Sequence, residues 1–245
     1  MVRVLDLFSG IGGFSLGLER AGFETVAFVE NNEACHRVLK KHWSEVPIYK
    51  DVKDVRFEQG FADVICGGFP CQDISLAGKG EGLDGERSGL WFEFHRLIKE
   101  IKPKYIIAEN VAALRTRGLD KVLWSLNEVG YDAEWHCLPA SAFGAPHYRD
   151  RVWIIGYPNN QPKLQANSLL DTFGIKRDSW QSFGRGYWGQ IPRAYRSIPE
   201  SISIGVDNGI PYRVDRMKQL GNAVIPQIPE MIGRAILEYD RAIQT

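Results

Sequence analysis

The chain is short of cysteine, of net charge and of long apolar runs, and each shortage excludes something. It has four cysteines, Cys35, Cys66, Cys71 and Cys137, in 245 residues. None forms a C-x-x-C pair, so neither a disulfide framework nor a zinc site is indicated, and no metal is expected. No apolar run approaches the roughly 18 residues of a membrane-spanning helix. Asp6 also interrupts the apolar start Met1-Val2-Arg3-Val4-Leu5 too early for a signal-peptide core. A cytoplasmic protein with no membrane partner is the expectation. Thirty Lys and Arg balance thirty Asp and Glu, so a surface for a polyanion can arise only from uneven distribution. That unevenness is present. Residues 1–140 carry 17 basic and 21 acidic side chains, net −4, whereas residues 141–245 carry 13 and 9, net +4. The second part is therefore the side expected to meet something negative.

What remains is ordinary globular composition, 44% hydrophobic, 24% charged and 11% aromatic, in a chain long enough for one large domain, or for one domain plus a small appendage. Short β-branched or aromatic runs at 2–7, 25–30, 62–66, 104–109, 133–138 and 152–157 read as strands. Between them, 14–21, 33–42, 89–101 and 119–129 carry apolar residues at helical spacing, as in Leu90, Phe94, Leu97, Ile98 and Ile101. This alternation predicts an α/β, doubly wound, Rossmann-like domain with a parallel sheet covered on both faces. After Pro158 the order stops. Residues 174–196 mix Lys176, Arg177, Arg185, Arg193 and Arg196 with five aromatics and a single acid, Asp178. A stretch of this length without periodicity is commonly functional or mobile. A last helix is expected at 227–242. The division is thus a core over 1–157, an irregular region over 158–212 and a helical segment over 213–245 that returns to the core.

Four places carry chemistry. Asp6-Leu7-Phe8-Ser9-Gly10-Ile11-Gly12-Gly13-Phe14 follows the first strand, and its glycines let backbone N–H groups approach a ligand at a helix N-terminus. The same residues would also serve a plain tight turn. Glu30, ending the next strand, can accept from the two hydroxyls of a ribose, which favours a nucleoside-containing cofactor. Gly67-Gly68-Phe69-Pro70-Cys71-Gln72 puts Cys71 in a constrained loop at the carboxyl edge of the sheet, where ligands bind in such folds. Buried filler suits Cys35, Cys66 and Cys137, whereas a nucleophilic thiolate suits Cys71. Glu109, ending the strand beside it, suits protonation of a substrate nitrogen. His147-Tyr148-Arg149-Asp150-Arg151 presents two arginine forks with alternate spacing, although a solvated loop has the same composition.

In this order, and with Gly221-Asn222-Ala223-Val224 near the end, these motifs resemble the DNA (cytosine-5)-methyltransferase family. The resemblance spans nearly the whole chain, and the compact size is similar to short phage-type or restriction-modification members. It implies a DNA methylation enzyme that acts on a cytosine flipped out of double-stranded DNA, the chain itself being a monomer. Cys71 would attack carbon 6, Glu109 would hold or protonate N3, and Arg151, supported by Arg149, would donate to O2. S-adenosyl-L-methionine is the implied cofactor. Phe8, Gly10, Gly12, Glu30, Asn31, Asp51, Pro70, Leu90, Asn222 and Val224 would surround it, with Asp51 near the adenine amino group. Ser75 and Arg87 would contact DNA phosphate or support a glycine-rich catalytic loop over 73–89. Lys176, Arg177, Arg185, Arg193 and Arg196 would lie in a small target-recognition region.

Two departures stand out. His147 replaces the glutamine usual before the paired arginines, and the later Arg- and Glu-containing motif has no clear match. One branch of the same family methylates transfer RNA, and the Cys71 and Glu109 motifs do not separate the two substrates. A catalytically silent nucleic-acid-binding regulator is disfavoured by intact Cys71, Glu109 and Arg151. A nicotinamide enzyme is disfavoured by the absence of G-x-G-x-x-G spacing after the first strand.

Overall fold

The computed structural model describes residues 1–70, 89–145, 149–160 and 223–244. Cys71, Ser75, Arg87, His147, Asn222 and the basic residues Lys176, Arg177, Arg185, Arg193 and Arg196 lie outside the described residues. So do the expected catalytic loop and nearly all of the region 158–212.

In chain order the described elements are β1 (Val2–Leu7), α1 (Gly13–Ala21), β2 (Phe23–Val29), α2 (Glu33–His42), β3 (Ile48–Tyr49), β4 (Val64–Gly68) and α3 (Leu90–Ile101). They continue with β5 (Tyr105–Val111), the one-turn α4 (Leu114–Arg117), α5 (Leu119–Glu128), β6 (Tyr131–Pro139), β7 (Asp150–Pro158) and α6 (Gln227–Gln244). Every expected strand and helix is present within two residues of its expected ends. The two-residue β3 and one-turn α4 were too short to leave a periodic signal.

Seven strands form one sheet in the order β3-β2-β1-β4-β5-β7-β6. From β3 to β5 every pairing is parallel. The expectation of a wholly parallel sheet is corrected at its end, where β7 runs antiparallel to both β5 and β6. The reason is the connection. Only residues 140–149 join β6 to β7, and they hold a short 3₁₀ turn, Ala140–Phe143. A parallel return needs a crossover of a dozen or more residues, usually helical, so the chain doubles back and β7 inserts between β5 and β6.

The sheet is covered on both faces because its strands alternate two apolar sets. Leu5, Leu7, Ile65, Ile106, Ala108 and Ile154 pack against Trp91, Phe94, Leu97 and Ile98 of α3 and Val122 and Leu126 of α5. Val4, Val64, Cys66, Ile107, Trp153 and Ile155 face the other way, against Phe14 and Leu18 of α1 and Ile228, Ile232 and Ile236 of α6. Among the described residues no helix is long and apolar enough to cross a membrane.

Candidate active site

The carboxyl ends of β1, β2, β4 and β5 lie side by side, and the turns that leave them carry the expected residues. After β1 the chain folds sharply back on itself. Phe8 takes φ 53°, Gly10 φ 55° and Gly12 φ 84°. Gly12, at the start of α1, has no room for a side chain, since a Cβ would stand 2.7 Å from the Trp43 ring. The Ser9 hydroxyl donates to the Asp6 carbonyl at 2.6 Å and closes the turn.

Glu30 is held by this turn and by the residue that caps α2. Its Oε2 accepts from the Gly10 N–H at 2.7 Å and its Oε1 from the Asn32 N–H at 2.8 Å. Asn32 then caps α2 by accepting from the Ala34 N–H. The Glu30 N–H donates to Tyr49 O at 2.9 Å, which places the stretch carrying Asp51 beside it. A carboxylate has about four lone-pair sites, so Glu30, fixed by two backbone donors, keeps acceptor capacity for a pair of hydroxyls. This acceptor fits the ribose hydroxyls of a nucleoside cofactor. Asn31 and Asp51 are exposed nearby, and Asp51 Oδ1 accepts from the Lys53 N–H. Phe8 is half-buried, its ring 6.5 Å from Phe94 of α3. Leu90 opens that helix, and the Val224 carbonyl lies 2.5 Å from where a Cβ on Gly13 would be.

Behind the turn, Asp6 is wholly buried and accepts from the Ser15 hydroxyl at 2.8 Å. Burial pushes its carboxyl up to about 7. Cys66 adjoins it, and burial raises that thiol well above the ordinary range. Burial likewise raises Cys35 to about 11 and raises Cys137. These three thiols have the character of filler, as the sequence suggested.

The second half of the edge is built by β4, β5 and β7. Gly68 and Glu109 are register partners, and a Cβ on Gly68 would lie 3.0 Å from Glu109 Oε2, so the missing side chain makes room for the carboxylate. Glu109 is 8% exposed. Arg151 Nε donates to its Oε1 at 3.0 Å, and Arg149 also acts on it. Burial raises the Glu109 pKa, with both arginines opposing the shift. Burial and the neighbouring Arg151 pull the Arg149 guanidinium below its usual value. An acid that takes up a proton readily, beside a fixed cationic fork, can hold a neutral nitrogen heterocycle by one nitrogen and one carbonyl.

One contributor was missed as a site residue. Asn110 is 2% exposed, donates from Nδ2 to Phe69 O at 2.8 Å and accepts the Val111 N–H at its Oδ1. It therefore anchors the backbone that leads through the exposed Pro70 to Cys71. A polar amide ending an otherwise apolar strand was the available signal. The structure brings Phe8, Gly10, Gly12, Glu30, Asp51, Leu90 and Val224 to one part of the edge and Glu109, Arg149 and Arg151 to the adjoining part.

Comparison with known proteins agrees in kind. The model of the family described as C-5 cytosine-specific DNA methylase matches residues 2–187. The chain is 36% identical over 170 residues to the type II methyltransferase M2.BsuMI of Bacillus subtilis, covering 66% of this chain and 43% of that one. It is 31% identical over 204 residues to the type II methyltransferase M.AquIA of Picosynechococcus, covering 70% and 82%. It thus spans about two fifths of the length of M2.BsuMI and most of M.AquIA. Among solved structures, a putative DNA modification methyltransferase encoded within an E. coli prophage shares the fold, with a TM-score of 0.64 at 22% identity, covering 98% of this chain and all of that one.

Proposed function

The chain belongs to the C-5 cytosine-specific DNA methylase family, and from that premise we propose that it is a DNA (cytosine-5)-methyltransferase. It would act on a cytosine flipped out of duplex DNA, with S-adenosyl-L-methionine as methyl donor. The relatives named as type II methyltransferases support a restriction-modification setting. The observation that carries the reading is the Glu109–Arg151 pair at the end of β5, one strand from the turn that leads to Cys71.

Carbon 5 of cytosine is a weak nucleophile, and the residues divide the work of activating it. The Cys71 thiolate adds to carbon 6, forming a C–S bond while the C5=C6 electron pair moves toward carbon 5. Glu109 holds or delivers a proton at N3, and Arg151 donates to O2 with Arg149 behind it, so the charge developing on the ring is met by fixed groups. When bound, S-adenosyl-L-methionine supplies the electrophilic methyl that carbon 5 takes up. Loss of the carbon 5 proton then breaks the C–S bond and frees Cys71. None of these groups can reach the base within a stacked duplex, so extrusion of the nucleotide is required. Glu30 would hold the ribose, Asp51 the adenine amino group, and Phe8, Gly10, Gly12, Asn31, Pro70, Leu90, Asn222 and Val224 the remaining contacts.

Cys71→Ser should abolish methyl transfer while binding of S-adenosyl-L-methionine persists. Duplex DNA carrying 5-fluorocytosine should trap a denaturation-resistant adduct with the unaltered protein, because fluorine does not leave as a proton does. Turnover by the serine variant, or an active protein that forms no adduct, would overturn the mechanism.

A further inference from the structure

Resting on the assignment of Asp51 to the adenine amino group, we infer that Arg96, on a half-buried flank of α3, is the positioning residue for the adenine end of the cofactor pocket. Asp51 lies on an irregular stretch, 50–56, between β3 and the turn before β4, with no ladder to hold it. Both ends of the stretch are pinned by ring contact, Tyr49 lying edge-on to Phe57 with centroids 5.4 Å apart. Val52 and Val55 are buried, at 4% and 7% exposure, and pack into the core beside α3. Burying those side chains brings their carbonyls to the helix, where they need donors.

Arg96 supplies one to each, sharing Val55 O with Arg56, whose Nη1 donates to it at 2.7 Å. Arg96 Nη2 donates to Val52 O at 2.8 Å and to Val55 O at 3.2 Å. The same guanidinium is fixed on its other edges, Nε donating to Glu93 at 2.8 Å and Nη1 to Glu100 at 2.7 Å. Glu93 and Glu100 stand three residues before and four after Arg96, on the same helix face. A planar fork held by two carboxylates presents its remaining edge in one orientation, which an ammonium on a flexible stem does not.

The Asp51 carboxylate is one residue from the clamped Val52 carbonyl, and its Oδ1 is engaged by the Lys53 N–H. That local turn, closed also by the Asp54 N–H on the Asp51 carbonyl at 3.1 Å, orients the carboxylate, and the clamp holds the turn against α3. Arg96 also joins this stretch to the helix whose first residue is Leu90, so two walls of the pocket move together or not at all. Arg96 touches no reacting group, and its effect on the cofactor passes through Asp51.

The test uses the full chain and calorimetric titration with S-adenosylhomocysteine and with its 6-oxo counterpart, S-inosylhomocysteine. A carboxylate accepting from the amino group should give the unaltered protein a preference of about tenfold or more for the adenine compound. Asp51→Asn should lose or reverse that preference. Arg96→Lys and Arg96→Met should cut it to threefold or less. A comparison of S-adenosylhomocysteine with its 2′-deoxyribose form, which reads Glu30, should stay unchanged in the Arg96 variants. Glu100→Gln loosens the guanidinium without deleting it and should give an intermediate loss, which covers the case of an Arg96 variant that does not fold. Equal weakening of both purines in the Arg96 and Glu100 variants, with the preference intact, would overturn the inference and leave Asp51 in place. No preference in the unaltered protein, or one that survives Asp51→Asn, would overturn the Asp51 assignment and the inference with it.

Discussion

Asp6, next to last in β1, has its carboxyl wholly enclosed, held by the Ser15 hydroxyl and facing the Cys66 thiol. Because burial raises its pKa to about 7, against about 3.9 in an unfolded chain, the native state binds the extra proton between those values. Its stabilising contribution is complete below the unfolded value and is lost as pH rises through about 7, a change of about 4 kcal/mol. Asp6→Asn keeps an acceptor for Ser15 and removes the titration. The melting temperature of the variant relative to the unaltered protein should therefore climb between pH 5 and pH 8, and a constant difference would refute the assignment. Glu109 is also raised by burial, and its protonated form is the one that serves N3. kcat/KM should fall as pH rises through that raised pKa. Glu109→Gln still donates a hydrogen bond but has no transferable proton, so a rate loss of about 10²- to 10⁴-fold is expected. Its pH profile should also lack the descending limb. A profile unchanged in the glutamine variant would move the acid elsewhere.

At the scale of elements, the cofactor side of the sheet depends on how closely α6 approaches α1. A Cβ on Gly17 would fall 2.2 Å from Pro226 O and 2.9 Å from Glu230 N, backbone atoms at the start of α6. A Cβ on Gly233 would meet the Ala21 Cβ at 2.9 Å and the Leu18 and Phe23 side chains at 3.1 Å. Side-chain ends yield more readily than backbone. Both Gly17→Ala and Gly233→Ala should therefore destabilise, by about 1–3 kcal/mol, with Gly17→Ala the worse, as chemical denaturation would read. Displacing α6 also displaces Val224, whose carbonyl rests on Gly13. Gly17→Ala should consequently weaken S-adenosyl-L-methionine binding as well, whereas the reverse order of stability would argue that the helices can separate. On the other side of the edge, Asn110 links β5 to the turn after β4 through Phe69 O, so the strand carrying Glu109 and the turn leading to Cys71 are set as one unit.

For the whole molecule, the basic aromatic stretch 174–196 is proposed as the region that reads DNA, with phosphate contacts setting affinity and base-edge contacts setting sequence choice. Single alanine substitutions at Lys176, Arg177, Arg185, Arg193 and Arg196 should fall into two groups. One loses affinity for all duplexes with a shallower salt slope, and the other loses discrimination at particular base pairs by about 1–3 kcal/mol. If all five leave binding, salt slope and methylated sequence untouched, recognition lies elsewhere. Element positions were legible in the sequence because apolar periodicity is a local property: the Leu90, Phe94, Leu97, Ile98, Ile101 stripe has to be a helix face wherever it packs. Glu30 and Glu109 were legible for a related reason, since a carboxylate ending an apolar strand of a doubly wound sheet must lie on its carboxyl edge. Strand direction was not legible in the same way. Periodicity says nothing of direction, and a wholly parallel sheet would have carried the start of β7, with Arg151, to the opposite edge, about 3.3 Å further off per residue of strand. The short 140–149 connection reverses β7 and pairs Arg151 with Val111, which is what lets its guanidinium reach Glu109. The same holds for Asn110 on Phe69 and Arg96 on Val52, partners 41 and 44 residues apart. Residue type and spacing determined which side chains the edge would offer. Only the assembled sheet, by bringing distant backbone carbonyls and charges within hydrogen-bonding reach, decided which of them meet.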